Sequence, residues 1–583
     1  MQKTIRRRPL AQLTPFDQTV HPLLQRIYSA RGIQHERELQ YQLAHLLKPN
    51  FKGLPEAVSL LADAVVAQAK VIIVGDFDAD GATSSALGVL ALRAMGLSSV
   101  DFLVPNRFEY GYGLTPEIVA VAAAQHPDLI ITVDNGISSI EGVAAARELG
   151  IAVIVTDHHL PGSELPDADA IVNPNQPGCE FPSKNLAGVG VIFYVMNALR
   201  AELRQMGWFA ESGIAEPNMA SFLDLVALGT VADVVPLDHN NRILVAQGLQ
   251  RIRAGGARPG IKALLEIAGK QSHKIIASDF GFALGPRLNA AGRLDDMSLG
   301  IQCLMCDSES LAREMAMQMD DLNRDRKAIE TGMQQEAMIT LQKVLTADEN
   351  SLPWGVCLFD ETWHQGVIGI LASRIKDRYH RPTIVFADAG IAENGEAQIK
   401  GSARSISGFH IRDALDAIAT RYPHLLQKFG GHAMAAGMSL TRENFIPFAA
   451  AFDEEVRRQL TDEDLSALVM SDGELQSQDF NLLFAQQLRE SGPWGQHFPE
   501  PVFDGEFYLV QQKLLADKHL KMTLSFDVKG QQLIDAIAFN IDPKIWPNTL
   551  AKKLKLAYKL DVNEYRGNKT VQLLVDYIEV ISH

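Results

Sequence analysis

The sequence predicts an α/β protein: a parallel sheet with helices on both faces, a long helix leading to a smaller α/β domain, and a C-terminal β-barrel. Three observations carry this. Short β-branched runs alternate with helical patterns over residues 71–155, a proline-free run of helix formers covers 307–345, and short alternating runs separated by turn residues fill the C-terminal part.

VIIVG (71–75), VDFLVP (100–105), LIITV (129–133) and IAVIV (151–155) are apolar on both faces and bounded by turn signals, as buried parallel strands are. Helical patterns at 82–96, 115–125 and 138–150 lie between them, giving βαβ alternation. Residues 307–345 contain one glycine, Gly332; as a single helix they span roughly 58 Å, a length suited to joining two domains. A second α/β segment has strands at 356–361 and 383–388 with a helix at 365–379 between them. The acidic stretch 461–475 marks another boundary, and the five runs after it predict a small antiparallel barrel. The expected divisions are an N-terminal segment (1–50), a first α/β domain (51–306), the long helix (307–345), a second α/β domain (346–458) and the barrel domain (459–583).

At 583 residues the chain exceeds one compact core, and 47% hydrophobic with 21% charged residues is the balance of a soluble globular protein. Cys179, Cys303, Cys306 and Cys357 are too scattered for a disulfide framework, which favours a reducing compartment; the Cys303–Cys306 pair has no second pair to complete a zinc site. No apolar run reaches the roughly 18 residues of a membrane span, and the N-terminus has no signal-peptide pattern, so a cytoplasmic protein is expected. A net charge of −16 argues against indiscriminate coating of nucleic acid. It does not exclude a nucleic-acid enzyme whose acidic residues hold metal ions.

The chemistry concentrates where strands end. VIIVG runs into Asp76, Asp78 and Asp80, LIITV into Asp134, and IAVIV into Asp157-His158-His159, while a fourth apolar stretch, FLDLVALGTVADVVPL, carries Asp233. In an open parallel sheet ligands bind at the carboxyl ends of the strands. Carboxylates converging there repel and raise one another's pKa unless cations separate them. Oxygen ligands with one or two imidazoles suit Mn²⁺ or Mg²⁺, and this many ligands suit two ions. Each aspartate alone would serve as well as a helix N-cap, but that role does not account for a His pair at the same edge.

DFDADG, TVDNG, TDHH and GTVADVVPL, in that order, resemble the four motifs of the DHH phosphoesterase superfamily, and FGGHAMAAG (429–437) resembles the signature of its companion domain, DHHA1. GPRLNAAGRLDD (285–296), WHQGVIGILASRI (363–375) and KGSARSISGFHI (400–411) are similar to the RecJ-type exonucleases of that superfamily. The resemblance covers the chain from about residue 50 onward. It implies a DHH domain, a DHHA1 domain and an OB-type barrel. It also implies a metal-dependent exonuclease that degrades single-stranded DNA 5′→3′ to mononucleotides in recombination and repair. A single-strand-binding protein and a RecQ-type helicase are the implied partners, and a monomer is expected.

By the same resemblance Asp134 bridges two ions, Asp78 binds one, and Asp80, His158 and Asp233 bind the other. Many relatives have a histidine four residues before the first metal aspartate; this chain has Val74 there, and Asp76 is the substitute ligand. His159 is placed for the scissile phosphate and Asp157 for orienting His158. Ser402 and Arg404 are expected to seat the 5′ phosphate, with Ser405 as an alternative hydroxyl. Arg107, Arg287, Asn289 and Arg293 are expected along the strand, and His364 and His432 on the substrate side. A structural ion pair is the competing role for each arginine, and a satisfied turn for each of these histidines. Lys518, Lys521, Lys552, Lys553 and Lys555, with Tyr558 and Tyr565, would make a groove on the barrel. Two rivals stand beside this reading: a DHH phosphodiesterase of short oligonucleotides or cyclic dinucleotides, and a non-catalytic single-strand-binding scaffold. The long helix and barrel argue against the first, and the full ligand set argues against the second.

Overall fold

The structure, a computed structural model, describes residues 3–9, 20–105, 113–347, 352–392, 395–565 and 567–582. The chain forms two compact units. One holds Arg8–Asn323 with Ser471–His583, the other the residues up to Arg7 with Arg324–Met470.

The first unit contains a five-stranded parallel sheet in the order Val100–Leu103, Val71–Gly75, Leu129–Val133, Ala152–Thr156, Ala170–Val172. The last strand is too short to show periodicity in the sequence. Alternate side chains feed two cores, as the two-residue repeat of a strand requires. Ile72, Val74, Ile130, Val153 and Val155 pack with Pro116–Ala123 and Ile140–Glu148. Val71, Ile73, Ile131 and Ile154 pack with Leu54–Ala67, Ala79–Ala94 and Gly188–Gln205. The chain winds first to one side of Val71–Gly75 and then to the other, so a topological switch point opens between it and Leu129–Val133. FLDLVALGTVADVVPL is helical there: Leu223–Ala232 ends with Asp233 as its C-cap.

Glu309–Ala347 is one helix of 39 residues, about 58 Å long. In the first unit, Phe503–Leu515, His519–Ser525, Leu533–Ala538, Asn568–Ser582 and Lys553–Tyr565 close a barrel in that order. The barrel is not wholly antiparallel, because Leu533–Ala538 pairs parallel with Asn568–Ser582. Lys553–Tyr565 intervenes in the chain and turns it back, so the two flanking strands run the same way. Tyr558 is no surface platform: it is fully buried against Phe503 and Phe507. Lys553 and Lys521 pair with Glu506 and Asp535 at 2.6 and 3.4 Å. The Tyr565 side chain lies outside the described residues.

The second unit has a mixed sheet in the order Lys428–Gly431, Ala435–Thr441, Ala397–Arg404, Thr383–Ile391, Val356–Asp360. Only the last pair is parallel, joined through the helix Ile368–Tyr379. Among the described residues no helix is long and apolar enough to cross a membrane.

Candidate metal centre and active site

Asp134 stands at the switch point. The backbone leaves Leu129–Val133 through Asp134 at φ 61°, a left-handed conformation that aspartate tolerates better than most residues. Buried Asn135 locks the turn, its Nδ2 donating to Val74 O at 3.0 Å and Val133 O at 2.9 Å. Gly188 lets the helix Gly188–Gln205 start against this aspartate: a Cβ on Gly188 would lie 2.6 Å from the Asp134 Cβ.

Asp76, Asp78 and Asp80 follow Val71–Gly75 into the helix Ala79–Ala94. Asp78 is the N-cap, its Oδ1 accepting from Asp80 N and Gly81 N at 2.9 and 3.0 Å. Its other oxygen remains for a ligand role, so the cap and the metal readings coexist. Asp80 is 1% exposed and accepts from Gly188 N and Val189 N at 2.6 and 2.9 Å. Those donors open a helix, whose N-terminal partial charge favours a carboxylate. Asn289 Oδ1 accepts from Ala79 N at 2.7 Å, making Asn289 a brace of the acidic loop. Arg287 pairs with Asp320 at 2.8 Å and donates to Ala283 O at 2.6 Å, which is the ion-pair role. Arg293 is half-buried in the last turn of Gly285–Leu294.

Asp157 does not orient His158 as expected; its carboxylate holds His159. Asp157 Oδ1 accepts from His158 N at 2.7 Å and His159 N at 3.1 Å, and lies 2.7 Å from His159 Nδ1, while Oδ2 accepts from Ile137 N at 3.0 Å. The backbone curls round the acid, which brings the ring two positions on, and not the adjacent one, back to the same oxygen. Two asparagines absent from the sequence reading hold this turn from behind. Asn173 Nδ2 donates to His159 O at 2.9 Å and Asn175 Nδ2 to His158 O at 2.6 Å. Asn-Pro-Asn after a short strand at the same sheet edge was the available signal. Asn135 and Gly188 are the other supports the sequence reading missed.

These segments converge. His158 Nε2 lies 3.0 Å from Asp134 Oδ1, 3.5 Å from Asp233 Oδ2 and 4.0 Å from Asp80 Oδ2. Three donor sets have all their atoms within 4.8 Å of one another: Asp76, Asp78 and Asp134; Asp80, His158 and Asp233; Asp134, His158 and His159. Burial, then the Asp233 charge, pushes Asp80 up to about 7. Burial and Asp78 push Asp233 up to about 8, and burial with Asp80 and Asp78 holds Asp134 well above the carboxylate range. Burial and the His159 charge lower His158, favouring the neutral imidazole that ligates metals. Burial also disfavours the His159 cation, but its bond to Asp157 and nearby carboxylates outweigh that and raise it to about 9. At Asp157 burial is outweighed in turn by the His159 bond and charge, which lower it to about 2.

Hard oxygen donors with one or two imidazoles fit Mn²⁺ or Mg²⁺. A cation in each set relieves the repulsion that raises these carboxylates. The buried His158 Nε2 also fits, since it faces three carboxylate oxygens without hydrogen-bond geometry to any described residue.

Ser402 and Arg404 belong to the second unit, on Ala397–Arg404. Arg404 Nη1 donates to Ser402 Oγ at 3.1 Å and Ala403 O at 2.8 Å, and burial lowers the guanidinium pKa. A Cβ on Gly369, in the first turn of Ile368–Tyr379, would lie 2.9 Å from both Arg404 Nη2 and Ser402 Oγ. A helix start, a hydroxyl and a guanidinium therefore lie close against one another, a grouping of anion-binding character. Ser405 Oγ instead donates to Phe409 O at 2.6 Å. His364 Nδ1 accepts from Gly366 N at 3.0 Å, and His432 N donates to Ala435 O at 2.8 Å in a hairpin turn. Arg107 lies outside the described residues.

The DHH family, N-terminal domain, matches residues 70–230, the DHHA1 domain 351–458 and the RecJ OB domain 471–577. The chain is 55% identical to the single-stranded-DNA-specific exonuclease RecJ of Dickeya dadantii over 98% of each chain. It is similar in structure to RecJ of Thermus thermophilus in complex with Mn²⁺, with a TM-score of 0.78 and 28% identity over 96% of this chain and 76% of that one. The complex of that RecJ with Mg²⁺ gives a TM-score of 0.72 and 26% identity over 96% and 75%. A full-length match at this identity, carried by all three domains and by the aspartates and histidines gathered at the switch point, places the chain in the RecJ family of single-stranded-DNA-specific exonucleases.

Proposed function

We propose that this chain removes mononucleotides from the 5′ end of single-stranded DNA with two divalent ions, Mn²⁺ or Mg²⁺. The observation carrying this reading is a pair of donor sets meeting at Asp134. Asp76, Asp78 and Asp134 form one, and Asp80, His158 and Asp233 the other, with Asp134 Oδ1 3.0 Å from His158 Nε2. Ions held there supply the Lewis acidity that activates water at neutral pH and the positive charge that stabilises entering and leaving oxygens of an in-line displacement.

The chain's own residues do the rest. His159, whose pKa the bond to Asp157 raises, donates from Nε2 to a non-bridging oxygen of the scissile phosphate, where charge builds in the transition state. Asp157 holds that ring through Nδ1. The water oxygen joins phosphorus, the bond from phosphorus to the 3′ oxygen breaks, and that oxygen takes a proton and leaves with the mononucleotide. The shortened strand then begins with a 5′ phosphate, the anion that Ser402, Arg404 and the start of Ile368–Tyr379 suit. A nuclease restricted to single strands needs its duplex opened and its product kept open. A RecQ-type helicase and a single-strand-binding protein are therefore the proposed partners, in the cytoplasm, in recombination and repair, with the chain acting as a monomer.

The test is a 5′-phosphorylated strand labelled at either end, with Mn²⁺ or Mg²⁺, beside the same sequence as duplex and an Asp134→Ala protein. Early mononucleotide release from the 5′ label, lost in the variant, supports the proposal. A strand bound but left whole points to a scaffold, and cleavage confined to dinucleotides or cyclic dinucleotides to a small-substrate phosphodiesterase.

A further inference from the structure

We propose that Glu330, on the long helix, is a positioning residue for the 5′ end: through Arg374 it fixes the register of Ile368–Tyr379 and so sets Gly369 against Arg404 and Ser402. This rests on the reading of Ser402 and Arg404 as the seat of the 5′ phosphate. Every residue the proposal uses belongs to the second unit.

Most of the packing between these two helices is apolar. Met333, Ala337 and Leu341, on one face of Glu309–Ala347, belong to a buried cluster with Val367, Leu371 and Ile375. Apolar burial is non-directional, so it holds the helices together without choosing one rotation or sliding position over its neighbours. The first turn of Ile368–Tyr379 has no such freedom. Ile368 belongs to the apolar cluster, while a Cβ on the next residue, Gly369, would lie 2.9 Å from both Arg404 Nη2 and Ser402 Oγ. A small turn of the helix therefore carries its start away from the guanidinium or into it.

One ionic group stands on that face. Glu330, 7% exposed, has an arginine on each carboxylate oxygen. Oε1 accepts from Arg374 Nε at 2.7 Å, across the helix pair, and Oε2 from Arg326 Nη1 at 2.8 Å, one turn back on its own helix. Arg326 is 8% exposed, and the Arg374 side chain 55%. Burying such charges costs solvation that their pairing offsets only in part, and apolar residues of similar volume serve stability as well or better. The outer pair, half in water, adds little stability either. What the ions supply is direction, since Arg374 meets Glu330 in one register. A second polar tie joins the same elements. Trp363, buried just ahead of the helix, donates from Nε1 to Glu336 Oε2 at 2.8 Å. The following residue, His364, accepts through its carbonyl from Val367 N and Ile368 N at 2.9 and 3.2 Å, which leads the chain directly into the first turn.

The test uses the full-length protein. Arg374→Met cuts the tie between the helices and leaves Glu330 with Arg326. A triple variant, Arg326→Met with Glu330→Leu and Arg374→Met, makes the whole face apolar and should melt at or above the wild-type temperature. In both variants the ratio of kcat/KM for 5′-phosphorylated over 5′-hydroxyl strands should fall about fivefold or more, through KM, with 5′-hydroxyl strands cut at nearly the wild-type rate. Arg374→Lys, which keeps a charged donor for Glu330, should recover part of the ratio. Backbone amide exchange across residues 367–371 should quicken in both variants and stay unchanged in Ile411–Arg421, a helix elsewhere in the same unit. An unchanged ratio, unchanged exchange, equal losses at both ends, or a triple variant that melts well below wild type would each overturn the proposal. A wild-type protein with no preference for the phosphorylated end would count against Ser402 and Arg404 as its seat instead. Amide exchange, needing no substrate, still decides whether Glu330 sets the register.

Discussion

Asp157 Oδ1 and His159 Nδ1 lie 2.7 Å apart, and this bond both aims the His159 ring and charges it. The Asp157→Asn variant keeps the volume and removes the charge. Burial then acts on His159 unopposed by its largest partner, so its pKa falls from about 9. The alkaline limb of the kcat profile should move to lower pH, and kcat should drop about 10–100-fold near neutrality. The Mn²⁺ concentration for half-maximal rate should stay close to wild type, because Asp157 touches His159 and not His158 Nε2. A shifted metal requirement with an unmoved pH profile would refute this division of labour.

The two asparagines divide in the same way. Asn175 holds His158 O and Asn173 holds His159 O. Asn175→Ala should therefore raise the Mn²⁺ requirement by about tenfold, the usual cost of losing a group that orients a metal-bound histidine. Asn173→Ala should lower kcat at saturating metal. Metal titrations of both variants, with circular dichroism to establish folding, check the contrast.

The sequence carried the strands and acids of the catalytic sheet well because both signals are local. VIIVG and LIITV are strands over the residues expected, and Asp76, Asp78, Asp80, Asp134, His158 and Asp233 do meet. What it hid depends on contacts between distant residues. Gly188 is an ordinary helix-start glycine until Asp134 is found against it. KGSARS and FGGHAMAAG carry no strand pattern because small residues have low strand propensity, yet the first lies on a central strand and the second forms the hairpin beside it, where pairing supplies the missing preference. Alternation places Tyr558 on either face of its strand, and only barrel closure decides that it points inward. The Asp157–His159 bond likewise depends on a backbone curl that no pattern announces.

The crowded carboxylates set a pH dependence for the metal-stripped protein. With Asp80 raised to about 7 and Asp233 to about 8, the folded chain holds protons that the unfolded chain has released. Stability then falls wherever the folded state binds more protons as pH rises. Their contribution is complete below an ordinary carboxylate pKa of about 4 and lost as pH rises through 7 and 8. In EDTA the melting temperature should decline from about pH 5.5 to 8.5, and Mn²⁺ should restore more at the upper end than the lower. Asp233→Asn should flatten the decline. A pH-independent melting temperature in EDTA would show that these carboxylates do not repel as their geometry requires.

Arg404 and Gly369 make the case for the 5′ end separable from the chemistry. Arg404 Nη1 is fixed by Ser402 Oγ and Ala403 O, and Gly369 lets the helix start approach its Nη2 closely. Arg404→Gln removes the charge, and Gly369→Ala displaces both groups with a Cβ that would lie 2.9 Å from Nη2 and from Ser402 Oγ. Both should weaken degradation of 5′-phosphorylated strands about tenfold or more, the scale of one charge-assisted hydrogen bond to an anion. Strands with a 5′ hydroxyl should be affected far less, so the preference for the phosphorylated end collapses. The ratio of kcat/KM for the two ends is the measurement, since a general loss of folding lowers both alike. Arg404→Lys should keep part of the preference, because a point charge replaces the two-pronged contact but not its geometry. A preference undiminished in Arg404→Gln would mean that the 5′ phosphate is read elsewhere in the chain.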